Sequence, residues 1–228
     1  MWKLIASLVF GIVAPSACLA ADVTPTEMRW LRGAWPVVEF AKQASLPLDI
    51  VVQPQASPGA APLALAFVKG RCKLVLSMRG NPESNAALDR IEPDLRDATL
   101  ELMAAHELGH CQRYLDGAWY ALPAGFSAKA LDALSAEGGA AYSGMQAARR
   151  EEGYGDLVGL AWAARHHPQH YARLHAWLVR ERTTDRVHGS PHDTLAWLQL
   201  AEERMTLGRG SIFASATAVW TRGLNADD

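Results

Sequence analysis

Residues 104–117 read AAHELGHCQRYLDG, placing His106 and His110 four positions apart with Glu107 directly after the first. On an α-helix, residues i and i+4 lie one turn apart on the same face. Both imidazoles can therefore reach one ion. Zinc takes nitrogen, sulfur and carboxylate ligands in a tetrahedron, and a catalytic site keeps one position for water. Glu107 is angled off the ligand direction but is close enough to take a proton from that water, which is the physical content of H-E-x-x-H. Five letters match by chance in on the order of one chain in a hundred of this size, so the flanking residues must decide. The preceding LRDATLELMAA sets Leu95, Leu100, Leu102 and Met103 in a helical, largely apolar run. Polar groups on such a core helix are costly unless partnered, and a cation, expected to be Zn2+, would partner all three. Gly109, between the histidines, lets the helix back approach a neighbour closely, although glycine weakens an isolated helix.

A third ligand must come from elsewhere. Asp116, six residues past His110, would need a sharp turn near position 113, because six residues is about 240° of a continuing helix. The glycine that would permit that turn is missing, since Gly117 comes only after Asp116. Within RREEGYGDLVGLAW, Glu152 and Asp156 share a helix face. One carboxylate can bind the ion while the other holds the outer nitrogen of a ligating histidine. Glu152 is the preferred ligand, with Glu151 and Glu137 as alternatives.

HELGH followed 42 positions later by E-G-Y-G-D resembles the gluzincin metallopeptidases. The E-x-x-x-D element is similar to that of peptidase family M48, the group of the CAAX prenyl endopeptidases. Arg149 and Arg150 stand where a basic residue often precedes it. The likeness covers about 50 residues and implies a soluble exported relative. The glycines flanking Tyr154 depart from the charged and alanine residues common there. The resemblance implies a zinc-dependent endopeptidase with His106, His110 and Glu152 on the metal and Glu107 as general base. An edge strand could hold an extended peptide or protein substrate by strand addition. It also implies a downstream oxyanion donor, for which His192 in VHGSPHDT is preferred over His188 and Tyr142. The alternative for His192 is an incidental place in a loop whose Asp193 or Thr194 caps the next helix.

Several elements must position these groups. PTEMRWLRGAWPVVEFAKQAS predicts a helix broken or kinked near Gly33 and Pro36. LDIVV (48–52) predicts a buried strand, and LALAFV, KGR and CKLVLSM predict a β-hairpin. GNPESN is expected as loop. Helical spacing then covers 94–115, roughly 127–149, 151–166, 170–182 and 193–206, with the last twenty residues ambiguous. The expected fold class is α+β and zincin-like, a small sheet followed by a helical bundle carrying the HExxH helix.

The chain has 228 residues and a net charge of −2, enough for a single core with no basic surface for nucleic acid. MWKLIASLVFGIVAPSACLAADV predicts a signal peptide over 1–20, cleaved after Ala20, leaving 21–228 as one domain that is periplasmic or secreted. Cleavage removes Cys18. Cys72 and Cys111 can then pair in an oxidising compartment or stay as buried thiols. No later segment is long and apolar enough for a membrane span. His166, His167, His170 and His175 are expected to lie around a break at Pro168 rather than to form a second site, and Trp162, Trp177 and Trp197 to be core anchors. Two other functions remain open, a degenerate zincin that binds an envelope partner and a zinc amidase acting on a non-protein amide.

Overall fold

The computed structural model describes residues 22–117, 128–184, 186–207 and 210–224, with the side chains of 128–143 excepted. The expected leader and the side chains of Glu137 and Tyr142 lie outside the described residues.

Helix α1 (Pro25–Gln43) opens with a capping box. The Thr24 hydroxyl accepts the Glu27 N–H, and the Glu27 carboxylate accepts the Thr24 N–H at 2.7 Å. The expected break is not there: α1 runs unbroken through Pro36. Proline costs it one backbone bond, to the Arg32 carbonyl, and burial of Trp30, Ala34, Val37 and Ala41 outweighs that loss. Gly33 serves a crossing rather than a break, because a Cβ there would lie 2.4 Å from Leu100 Cδ1.

Strands β1 (Leu48–Val52), β2 (Leu63–Val68) and β3 (Arg71–Leu76) form a sheet in the order β1-β3-β2. β2 and β3 make the expected hairpin. Its turn places Lys69 (φ 52°) and Gly70 (φ 75°) in the left-handed region, which matches the twist of the flanking strands. β1 runs parallel to β3, from Leu48 opposite Cys72 to Val52 opposite Leu76. β3 is therefore central, and among the described residues the outer side of β2 pairs with no other strand. Cys72 on β3 and Cys111 form a disulfide with their Cα atoms 5.6 Å apart.

Helix α2 (Glu83–Asp89) occupies part of the stretch expected as loop. The Asn81 side chain accepts the Glu83 N–H at 3.1 Å, and Leu88 is buried, so a local turn and one anchor suffice. A 3-10 turn, Pro93–Leu95, leads into α3 (Arg96–Leu115). The two helices expected over 127–149 and 151–166 are one, α4 (Ala128–His166), of 39 residues. Gly153 and Gly155 do not end it; they let other groups lie against it. After the break at Pro168 come α5 (Tyr171–Thr183), α6 (Leu195–Leu200), a 3-10 turn at Arg204–Leu207, and α7 (Ile212–Leu224). α6 is shorter than expected, and α7 fills the ambiguous C-terminal stretch. α3 lies at the centre, packed on α1, α4 and β2. The fold is α+β in a zincin-like arrangement, and no helix of the described residues is long and apolar enough to cross a membrane.

Candidate metal centre

Small residues set the approach of α3 and α4. A Cβ at Gly109 would lie 3.1 Å from Gly155 Cα, and one at Gly159 would lie 2.8 Å from the Leu102 carbonyl oxygen. At Gly155 it would meet three atoms of the His106 ring at 2.8–3.0 Å. The α4 backbone thus lies directly on the imidazole, and the next turns carry Glu152 and Asp156 to it.

His106 Nε2 and His110 Nε2 are 2.9 Å apart. Glu152 Oε2 is 3.4 Å from the first and Oε1 is 3.4 Å from the second. A tetrahedral zinc with bonds of about 2.0 Å separates its ligand atoms by about 3.3 Å. The two imidazoles and the carboxylate, which turns one oxygen to each ring, therefore stand at close to ligand spacing. They are the one cluster of this kind among the described residues. Their chemistry, two imidazoles and a carboxylate, fits zinc.

Asp156 completes the arrangement from behind. It is fully buried, and its Oδ1 lies 3.0 Å from His106 Nδ1. A proton on Nδ1 leaves the Nε2 lone pair facing the cluster. Arg182, from α5, donates to Asp156 through Nε at 2.9 Å and Nη2 at 2.6 Å, and Nη2 is also 3.4 Å from Glu152 Oε2. Burial pushes the Asp156 carboxyl up, but the Arg182 charge and the His106 bond more than offset it and hold the group well below the usual carboxylate range. Burial alone would lower the His106 pKa, yet hydrogen bonds to Asp156 and Glu152 push it up to about 10. Such a field favours a cation at the imidazole, whether proton or metal, so the two compete.

Glu107 lies in the floor of a cleft of about 830 Å³. Burial raises its pKa, while the His106 and His110 charges and a hydrogen bond from the Leu65 backbone act the other way. A raised pKa suits a base that must both accept and return a proton near neutrality. The cleft runs between edge strand β2 (Leu63, Ala64, Leu65) and α5 (Trp177, Leu178, Arg182). Tyr114 of α3 stacks on Phe67 of β2 with ring centroids 5.0 Å apart, which fixes the strand against the helix.

His192 stands at the rim, largely exposed, with Nε2 3.6 Å from Glu152 Oε2. Partial desolvation against the cleft rim and the Arg182 charge lower its pKa. His188 instead reaches Asp193 at 3.2 Å. Neither Asp193 nor Thr194 caps α6 with its side chain. The Asp193 carboxylate accepts from Arg186 Nε and the Gly189 N–H, and the Thr194 hydroxyl donates to Asp156. Glu151 is engaged by Arg113 and Arg150, and Asp116 by Gln112, so neither belongs to the cluster. His166 stacks on Trp162, His167 pairs with Glu101, and His175 meets the Leu198 carbonyl. Trp162, Trp177 and Trp197 are buried as expected, and Trp177 also lines the cleft.

Sequence reasoning missed Arg182. It sits in VRERTTDR, a run that reads as a solvated helix end, and only its four-residue spacing from the apolar Leu178 hints at an inward face. The site and fold together define a helix-borne two-histidine, one-carboxylate cluster that resembles an HExxH-type zinc site in a zincin-like helical fold. Comparison with known proteins finds no matching family model, no matching curated protein and no matching solved structure. The likeness therefore rests on the HExxH motif and on the cluster of His106, His110 and Glu152.

Proposed function

We propose that this chain is a zinc-dependent endopeptidase that works in the periplasm or outside the cell. The observation that carries the reading is the spacing of His106 Nε2, His110 Nε2 and Glu152 at 2.9–3.4 Å beside Glu107 in an open cleft. Zinc held there would polarise a peptide carbonyl and lower the pKa of its bound water. Glu107 accepts the water proton and passes it to the leaving amine. Asp156 fixes the His106 tautomer, and Arg182 keeps Asp156 and Glu152 anionic. His192 is the candidate donor to the developing oxyanion, and the outer edge of β2, which lines the cleft, can pair with an extended substrate. Export is supported by the apolar N-terminal segment and by the Cys72–Cys111 disulfide.

The test is native mass spectrometry of the mature protein together with digestion of a broad peptide library. One zinc per chain and chelator-sensitive cleavage are expected. A chain that takes up no zinc would refute the reading. Zinc without any cleavage would favour an envelope binding module, and hydrolysis confined to non-protein amides would favour an amidase.

A further inference from the structure

We infer that Thr194 is a positioning residue whose hydroxyl fastens the His192-bearing loop to the metal centre and sets the centre's affinity for zinc. The inference rests on the zinc reading above and extends it to a residue that touches neither metal nor substrate. Thr194 occupies the N-cap position of α6, where a threonine hydroxyl ordinarily accepts a backbone N–H of the first turn. Here it forms no such bond. It is fully buried and donates instead to Asp156 Oδ2 at 2.5 Å. The helix forgoes its cap for a contact with α4.

That contact is the last one Asp156 can take. A carboxylate has about four lone-pair sites. Oδ1 meets His106 Nδ1 at 3.0 Å and Arg182 Nη2 at 2.6 Å, while Oδ2 meets Arg182 Nε at 2.9 Å and Thr194. Asp156 is thereby clamped from three elements, and the plane of its carboxylate fixes the His106 ring. The loop is closed by the neighbouring residue. Asp193 is fully buried, its carboxylate accepts from Arg186 Nε at 2.6 Å and the Gly189 N–H at 2.8 Å, and its carbonyl accepts from Arg149 Nε at 2.5 Å. His192, two residues before Thr194, is thus carried on a loop locked at its base. Without the hydroxyl, Oδ2 would lose one buried donor, Asp156 could rotate, and His106 would lose its fixed orientation.

The experiment compares wild type with Thr194→Val, which keeps the shape but removes the donor, and Thr194→Ser, which restores it. Zinc affinity is measured by competition with a chromogenic chelator. Cobalt(II) is substituted to read ligand geometry from visible absorption, and thermal unfolding checks the fold. Thr194→Val is expected to weaken zinc binding by about 10-fold, the scale on which groups supporting metal ligands act, and to alter the cobalt spectrum. Thr194→Ser should bind as wild type does. Thr194→Ala, which removes the same hydroxyl without adding bulk, carries the same expectation should the valine variant not fold. Folded hydroxyl-less variants with wild-type zinc affinity and cobalt spectrum would overturn the inference while leaving the zinc reading intact. Equal loss in the serine variant would overturn it too, by showing that the methyl group matters. A wild-type chain that binds no zinc would remove the reading and this inference together.

Discussion

Glu107 and Glu152 carry the same functional group in one cleft, and their surroundings divide their work. Burial pushes the Glu152 carboxyl up, but hydrogen bonds and charges of the two imidazoles across from it hold its pKa well down. Glu107 has burial as its dominant influence, and its pKa rises. The first is suited to stay anionic on a metal, the second to exchange a proton. Glu107→Gln should therefore keep its fold and zinc while losing about 10²–10⁴-fold in turnover. Parallel measurement of zinc content, melting temperature and peptide hydrolysis checks this, and wild-type turnover in the variant would remove Glu107 from the mechanism. Glu152→Ala should lose zinc, whereas Asp116→Ala, at the exposed end of α3, should retain it. Native mass spectra of the two variants decide the ranking.

The elements meet where side chains are smallest. Gly155 sits against the His106 ring, and any Cβ there would have to displace it. Gly155→Ala should cost about 1–3 kcal/mol, as overpacking of a tight contact does, and should lower zinc affinity as His106 turns away. Chemical denaturation and zinc titration would show this, and an unchanged protein would mean that α3 and α4 can separate freely. At the other end of the fold, α1 depends on a charge. Glu27 is fully buried and accepts from Arg79 at 2.7 and 3.0 Å. The Arg79 bond, against burial and with help from Thr24, holds its pKa below the usual 4.5. A depressed folded pKa means that the stabilisation is complete above about pH 4.5 and is lost as pH falls through the folded value. Glu27→Gln should be less stable than wild type by about 1.5–3 kcal/mol near neutrality, and the difference should shrink in acid. Melting curves from pH 7 down to 3 test the sign, since a difference that grows in acid would contradict it.

At the scale of the whole molecule, the disulfide joins the sheet that forms one wall of the cleft to α3, which carries Glu107. Cys72 belongs to the central strand and Cys111 directly follows the ligand candidate His110. A link across 39 residues restricts the unfolded chain by about 4 kcal/mol in the chain-entropy treatment. Reduction, or the paired change of Cys72 and Cys111 to serine, should lower the melting temperature and loosen the seat of α3 against the sheet. Calorimetry with and without reductant gives the size of the effect, and identical transitions would show that the bond contributes nothing. Two further ties close the cleft side. Arg173 of α5 pairs with Glu92 and Asp94, and Arg90 reaches Glu83 and Glu181. α5 is thereby held to the chain between α2 and α3, across from the sheet.

Local chemistry was legible in the sequence because it repeats on the period of a helix. His106 and His110, and Glu152 and Asp156, are each one turn apart, so their shared faces follow from counting. The strand LDIVV follows from a short apolar run, although its residues are half-buried rather than buried, and the hairpin follows from two strand-like runs split by the turn KGR. What the sequence could not decide were relations between segments. Glycine shows the limit: Gly33 read as a break, and packing showed that it makes room for Leu100, while Gly153 and Gly155 signalled close packing without naming Trp197 and the His106 ring as what lies against them. The same holds for Pro36, whose lost hydrogen bond is outweighed by burial that no local pattern contains. Arg182 and Thr194 looked like a solvated helix end and a cap until α5 and the following loop were folded onto Asp156. Periodicity fixes which way a side chain points from its own axis, but what it meets there depends on how the axes cross, and that is decided by the tertiary structure.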